Sequence, residues 1–147
     1  MSTKKPAEPI TPERLARSGT EHGHQAALFC WRASALVEYP DLKWMFAIPN
    51  GGQRGIVNAT RLKAEGVRAG VSDIFLPVVR MGQGRYYAGL FIEMKKPSVR
   101  PKRSGAGGVS DDQSEFGKAV QAQGYGYAVC YSWEEARDVI TAYLRWS

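Results

Sequence analysis

The sequence predicts a single α/β domain in which a mixed sheet is flanked by helices. The first observation is length, because 147 residues suit one domain of ordinary size. The second is composition, since 44% apolar and 23% charged residues are normal for a soluble globular chain. The third is the order of helical and strand patterns, α-β-α-β-β-α-β-α, with no internal repeat. This order indicates one mixed sheet rather than a bundle or a sandwich.

The first forty residues divide into an arm and a helix. Residues 1–19 are rich in proline and poor in large apolar groups, so we expect a flexible arm with one helical turn starting at Thr11. A helix is then predicted from an N-cap at Thr20 to the residues before Pro40. Its expected buried stripe consists of Ala26, Cys30, Ala33 and Val37.

The remaining chain, within a predicted domain of residues 20–147, alternates between strands and helices. The patterns predict strands over 43–48, 71–79, 86–95 and 125–131, and helices over 58–66, 111–123 and 132–144. A Gly-rich turn at 81–84 makes the second and third strands antiparallel neighbours. Residues 97–110 have no periodicity and are predicted to form a flexible loop.

Cysteine usage and the absence of long apolar runs indicate the compartment. Cys30 and Cys130 are too few for a disulfide framework or a four-cysteine zinc site, and both lie in apolar stretches. Buried free thiols are the expected state, which is typical of a reducing compartment. No apolar run approaches 18 residues, and the first residues lack the apolar segment of a signal peptide. We therefore expect a cytoplasmic protein.

The positive charge is concentrated in one short segment. The net charge is +6, and five cations lie within nine residues that contain no acid: Lys95, Lys96, Arg100, Lys102 and Arg103. Such a concentration suits contact with a polyanion. A solvated basic loop would show the same pattern, so the segment alone leaves both interpretations open.

Two carboxylates and an ammonium group form the most specific constellation. Asp73 begins an apolar strand, and Glu93 and Lys95 end the strand that follows the turn. Side chains alternate along a strand, so Glu93 and Lys95 share one face. Asp73 and Glu93 lie at similar distances from the turn and should therefore meet at the same end of the hairpin.

Oxygen ligands of this kind suit Mg²⁺ in a site that acts on phosphate esters. A cross-strand salt bridge at a sheet end is the alternative for these residues taken alone. Other residues strengthen the functional interpretation. Glu21 could bring a third carboxylate, Gln113 could orient a water or cap its own helix, and Arg54 in a Gly-rich turn could pair with a phosphate.

The joint spacing of these residues resembles the VRR-NUC nucleases of the PD-(D/E)xK superfamily over about residues 20–146. The motifs are Glu21…Gln25, Asn50-Gly51-Gly52…Arg54, Gly66-Val67…Gly70-Val71-Ser72-Asp73-Ile74, Glu93-Met94-Lys95 and Gln113…Phe116. Ser72 departs from the family pattern, which usually has proline before the aspartate. The resemblance implies a PD-(D/E)xK-type domain that hydrolyses DNA phosphodiester bonds with Mg²⁺ or Mn²⁺, in a bacterial or phage-infected cell.

The resemblance also assigns roles to residues. The implied metal ligands are Asp73, Glu93, Met94 and Glu21, and the implied catalytic set is Asp73, Glu93, Lys95, Gln113 and Glu21. Together with the charge pattern, it gives a DNA-binding set of Arg54, Lys96, Arg100, Lys102 and Arg103. We expect a homodimer that cuts branched, Holliday-junction-like DNA, with Tyr86, Tyr87 and Trp146 as apolar material for the partner.

Three other functions compete with this hypothesis. A non-catalytic nucleic-acid-binding module would use the same basic segment, but clustered carboxylates would repel its ligand in the absence of a metal. A monomeric flap nuclease would share the chemistry and differ in substrate. A restriction or homing enzyme would need a sequence-reading element, for which 147 residues leave little room.

Overall fold

A computed structural model describes residues 5–49, 56–103, 105 and 107–147 of the chain. The helices are α1 (Pro12–Ala16), α2 (Glu21–Ala35), α3 (Ile56–Ala64), α4 (Asp111–Ala122) and α5 (Trp133–Leu144). The strands are β1 (Phe46–Ala47), β2 (Ile74–Leu76), β3 (Arg80–Gly82), β4 (Arg85–Tyr87), β5 (Leu90–Met94) and β6 (Gly126–Cys130). Two short 3-10 helices cover Pro40–Trp44 and Pro97–Val99.

The main sheet has four strands in the order β1-β2-β5-β6. The β1–β2 and β2–β5 pairs are antiparallel, whereas β5 and β6 run parallel. Helix α4 makes the crossover between β5 and β6, as a parallel pair requires. The predicted mixed α/β sheet is therefore confirmed, and β3 and β4 form a separate two-stranded ribbon.

The two faces of the sheet are packed differently. One face buries aliphatic side chains such as Ile74, Ile92 and Met94 in a core shared with α2 and α5. The opposite face carries aromatic side chains, because Phe75 stacks on Phe91 with ring centroids 4.3 Å apart. Phe116 of α4 then meets Phe91 edge-on at 5.3 Å. The alternation along β2 and β5 thus separates an aliphatic core from an aromatic layer under α4.

The predicted long hairpin is divided in the structure. Its expected strand over 71–79 is only three residues long, since Pro77 lacks the N–H that would continue the ladder. The chain then forms the β3–β4 ribbon, whose turn has positive φ at both Gln83 (52°) and Gly84 (74°). These angles are those of the type I′ hairpin turn. The Gly-rich turn was predicted correctly, but it joins the ribbon rather than the two sheet strands directly.

The predicted strand over 43–48 is mostly wrong. Residues up to Trp44 belong to a 3-10 helix that begins at Pro40, and only Phe46–Ala47 pairs with β2. Leu42 and Met45 are buried, while Trp44 and Phe46 are exposed. A 3-10 turn has three residues per turn, so Leu42 and Met45 fall on one side of the chain.

The buried face of α2 also differs from the predicted stripe. Ala26, Ala33 and Val37 are exposed and Cys30 is half-buried. The buried residues are instead His24, Ala27 and Leu28. The helix carries apolar residues on two adjacent faces, and contact with α5 and the sheet selects one of them. His24 Nδ1 accepts a hydrogen bond from the Trp133 N–H at 3.1 Å, which joins α2 to α5.

The segment predicted as an arm contains a packed helix. Thr11 caps α1 by accepting from the Arg14 N–H, and Pro12 occupies the first turn. Leu15 and Ala16 pack against the core. The single helical turn predicted at Thr11 is confirmed, whereas its packing against the domain was not predicted.

The other elements agree closely with the sequence patterns. Helices α3, α4 and α5 and strand β6 lie within about two residues of their predicted bounds. Both cysteines are free, and Cys130 is buried while Cys30 is half-buried. No helix among the described residues combines the length and apolarity needed to cross a membrane.

Candidate active site

The register of β2 and β5 places Asp73 and Glu93 side by side. Ile74 pairs with Ile92, so the next positions outward in the antiparallel ladder are Asp73 and Glu93. The Met94 N–H donates to Asp73 Oδ2 at 2.7 Å, which continues the ladder through a side chain. The two carboxylates therefore meet at one end of the sheet, on the face that α4 covers.

Glu93 is almost completely buried, with 2% of its surface exposed. Its Oε1 accepts a hydrogen bond from Gln113 Nε2 at 2.7 Å and lies 3.4 Å from Lys95 Nζ. Its Oε2 is buried and has no hydrogen-bond partner among the described residues. A buried carboxylate oxygen without a hydrogen-bond donor is energetically costly, so the protein contacts among the described residues leave this oxygen uncompensated.

The electrostatic environment opposes ionisation of Glu93. Burial is the main cause and the nearby Asp73 carboxylate adds to it, so the pKa of Glu93 rises from 4.5 to about 8. Lys95 acts in the opposite direction but does not cancel these effects. Two adjacent carboxylates in a desolvated position are stabilised in their charged form by a bound cation.

Gln113 serves two functions at the start of α4. Its Oε1 accepts from the Ser110 N–H at 2.9 Å while the Ser110 side chain accepts from the Gln113 N–H, which completes a capping box. The same amide donates from Nε2 to Glu93. The sequence is compatible with both helix capping and a contact at the site, and the structure shows both contacts in one side chain.

Lys95 lies between two carboxylates. Its Nζ is 3.4 Å from Glu93 Oε1 and 3.8 Å from Glu21 Oε1, and its side chain is buried. Glu21 is the first residue of α2 and is half-exposed. The structure thus places Glu21 against the lysine. Within the described residues no group of three histidine, cysteine or acidic side chains is close enough to hold a metal together.

The donors that are present fit a hard divalent cation. Asp73 and Glu93 offer carboxylate oxygens, and Mg²⁺ is commonly held by one or two carboxylates with waters and substrate phosphates completing its shell. The Met94 side chain is buried in the core, so only its backbone carbonyl could serve as the ligand predicted there. The orphaned Glu93 Oε2 is the observation that supports this fit.

The predicted DNA-binding residues fall into three groups. Lys96, Lys102 and Arg103 are exposed. Arg100 pairs with Glu135 and lies over the Tyr131 ring at 5.0 Å, so its charge is engaged by the domain. Arg54 lies outside the described residues. The predicted loop over 97–110 begins with the 3-10 helix Pro97–Val99 and is anchored by Arg100.

The comparison with protein families decides the classification. The VRR-NUC domain model matches residues 14–134. The chain belongs to the VRR-NUC family. A solved structure titled "VRR_NUC domain protein" has the same fold, with a TM-score of 0.59 and 19% identity. The match covers 96% of this chain and 93% of that one. The comparison with curated proteins gave no match.

Tyr127 is a residue of this VRR-NUC site that the sequence analysis missed. Its hydroxyl lies 3.5 Å from the Gln113 carbonyl oxygen. Burial first, and then the charges of Glu93 and Asp73, raise the pKa of Tyr127 to about 12. Its ring fits only because Gly117 has no side chain: a Cβ there would lie 2.5 Å from the ring. The strand pattern of β6 was visible, but its parallel register against β5 was not.

We predict that the stability of the metal-free protein falls as pH rises from about 5 to about 8. The folded pKa of Glu93 exceeds its unfolded value, so the folded state binds more protons across this interval. Glu93→Gln removes the titration and should flatten the curve, raising the free energy of unfolding at pH 8 by about 1–3 kcal/mol. Urea unfolding in EDTA at pH values from about 5 to about 8 measures the free energy of unfolding of both proteins.

The matched control is Glu65→Gln, which alters an exposed carboxylate paired with Arg61. It should leave the pH dependence as it is in the natural sequence. Equal pH slopes for Glu93→Gln and the unmodified protein would contradict the assignment of the buried acid.

Proposed function

We propose that this VRR-NUC protein hydrolyses DNA phosphodiester bonds with the help of Mg²⁺ or Mn²⁺. The observation that carries the proposal is the pairing of the buried Glu93 with Asp73, with Glu93 Oε2 left without a partner among the described residues. In this proposal Asp73 and Glu93 hold the metal, with the Met94 carbonyl available beside them. When bound, the metal lowers the pKa of a water and offsets charge on the attacked phosphate.

Lys95 is the residue that we assign to the reacting phosphate or its attacking water. Its Nζ is already fixed by Glu93 and Glu21, so little reorganisation is needed for it to donate to a developing oxyanion. Glu21 keeps the ammonium group oriented. Gln113 fixes the orientation of the Glu93 carboxylate through the 2.7 Å hydrogen bond.

The acid pair argues against a module that only binds nucleic acid. Such a module would need cations at its surface, and placing two acidic side chains together adds nothing to phosphate binding. Keeping Glu93 buried near Asp73 also costs folding free energy above pH 5. Strain of this kind is commonly retained at sites of chemistry.

The basic segment supports DNA as the substrate. Lys96, Lys102 and Arg103 are exposed and lie one, seven and eight residues after Lys95, so this segment offers three cations to the phosphates of a bound strand. Arg100 contributes through its contact with Glu135, which fixes the start of the loop. These contacts are to phosphates and carry no sequence preference.

We further propose that two copies act together on branched DNA. One Asp/Glu/Lys set cuts one strand, and a two-fold dimer supplies the second set for a junction with matching symmetry. Two of the three residues expected at the partner surface are used internally, because Tyr87 stacks on Trp146 with centroids 5.3 Å apart. Tyr86 remains exposed beside Met81, its cross-strand partner in the β3–β4 ribbon. This ribbon face is the proposed contact.

The central prediction concerns cleavage. Asp73→Ala and Glu93→Ala should abolish cutting because each removes a metal ligand, and Lys95→Ala should lower kcat by at least a hundredfold with a small effect on DNA binding. The assay uses labelled duplex, flap and four-way-junction DNA with Mg²⁺, Mn²⁺ or EDTA. Glu115→Gln, an exposed acid on α4, is the control and should cut normally. Undiminished cutting by Glu93→Ala or in EDTA would refute the proposal.

The basic segment has its own test. Replacing Lys96, Lys102 and Arg103 by glutamine should reduce the slope of log affinity against log salt by about 2–3, since each phosphate contact contributes roughly 0.9. Fluorescence anisotropy with duplex DNA measures the slope. Arg85→Gln, an exposed cation on the ribbon, should change it little. An unchanged slope in the triple variant would make the segment a solvated loop.

The oligomeric state is tested by light scattering. A dimer of the 16.2 kDa chain should double the mass at micromolar concentration, and Met81→Lys with Tyr86→Lys should return it to the monomer. The paired variant should also lose four-way-junction cutting more than flap cutting. A monomeric mass for the natural sequence, with flaps cut better than junctions, would overturn the branched-DNA dimer.

A further inference from the structure

We propose that Trp44 and Phe46 form a stacking surface for the bases of an unpaired DNA strand that leads into the active site. The proposal rests on the nuclease function proposed above and adds to it a feature of the substrate, unstacked bases beside the cut phosphate. We call the pair, with Lys43, the aromatic platform.

The exposure of the two rings is the first step. Trp44 is 57% exposed and Phe46 is 47% exposed, although both lie in a segment in which Leu42 and Met45, three residues apart, are buried. The segment is therefore firmly anchored by its buried positions and presents its two largest aromatic side chains to solvent. Exposed aromatic rings on a rigid support are the side chains on which nucleobases stack.

Within the platform, Phe46 is close to the acid pair. The Ile48 N–H donates to the Asp73 carbonyl oxygen at 2.7 Å, which ties the end of β1 to the start of β2. Phe46 lies two residues before Ile48, about 7 Å along the strand. A polynucleotide held at Asp73 thus needs to extend by only one or two nucleotides to reach the ring.

Within the platform, the Phe46 ring lies on the same face of the sheet as the acid pair. Phe46 meets Phe75 edge-on at 5.8 Å, and Phe75 stacks on Phe91. Phe91 and Glu93 share a face by the alternation of β5. The row of rings therefore runs from the exposed Phe46 toward the side of the sheet that carries the acid pair.

The charge of the platform favours a polyanion. Residues 42–49 contain one cation, Lys43, and no acid. Lys43 Nζ lies 4.9 Å from the centre of the Trp44 ring. The preceding acid, Asp41, pairs with Arg80 at 3.0 Å, so it is neutralised. A lysine beside an exposed ring provides a phosphate contact next to a base contact.

The size of the surface favours a nucleic-acid strand over a second copy of the chain. Two half-exposed aromatic side chains offer on the order of 200 Å². A stable protein interface needs about 800 Å² from each partner. One or two stacked bases match the area that the platform provides.

The experiment measures binding without cleavage. In a Glu93→Gln background with Mg²⁺, fluorescence anisotropy gives the affinity for a labelled twelve-nucleotide thymidine strand and for a duplex of equal length. Trp44→Ala and Phe46→Ala should each weaken single-strand binding about tenfold and duplex binding less than twofold. Phe46→Trp keeps an aromatic ring at this position and should bind the single strand as tightly as the Glu93→Gln background does. Val37→Ala is the matched control, because Val37 is a 92% exposed apolar side chain to which no role is assigned.

Three results would overturn the platform: equal weakening for single strand and duplex, no weakening at all, or a lower light-scattering mass in Trp44→Ala. The last would assign the surface to a second copy. The nuclease proposal is tested separately, because cleavage is measured with the natural sequence, which has both Glu93 and Trp44. If the natural sequence cuts no DNA but single-strand binding still depends on Trp44 and Phe46, the nuclease proposal is refuted and the platform stands.

Discussion

The burial of the Glu93 carboxylate beside a second carboxylate, that of Asp73, is the constraint on which this site depends. Asp73 and Glu93 are adjacent across β2 and β5, and Glu93 is removed from water. Each contact around them lowers the cost: the Met94 N–H on Asp73, and Gln113 and Lys95 on Glu93. One carboxylate oxygen remains without a donor among the described residues, so the protein contacts alone leave the pair incompletely compensated.

This pair connects the parts of the domain. Gln113 reaches Glu93 only because the capping box fixes the first turn of α4, and Tyr127 with Gly117 holds that helix against β6. On the other side Lys95 meets Glu21 at the start of α2. Helices α2 and α4 and strands β2, β5 and β6 therefore all meet at the end of the sheet where Asp73 and Glu93 lie.

The sequence allowed the juxtaposition of Asp73 and Glu93 to be predicted better than the packing of the core. The similar distances of Asp73 and Glu93 from the turn at 81–84 predicted that they are neighbours. The structure places them side by side, although the hairpin is divided after β2 at Pro77. The buried face of α2 could not be predicted, since Ala26 and Ala27 begin equally plausible apolar stripes and only tertiary contact selects between them. The exposure of Trp44 likewise depends on a 3-10 turn that a short aromatic run does not reveal. The register of strands that are distant in the sequence, such as β5 and β6, cannot be predicted from local sequence patterns.

The measurement that tests the central claim most directly is the effect of Mg²⁺ on stability at pH 8. Binding to the folded state alone raises the free energy of unfolding by about 1.4 kcal/mol at ten times the dissociation constant. The account predicts this gain in the natural sequence and its loss in Glu93→Gln, measured by urea unfolding with no DNA present. An equal gain in both proteins, or none in the natural sequence, would contradict the claim that the Asp73–Glu93 pair is built to hold a cation.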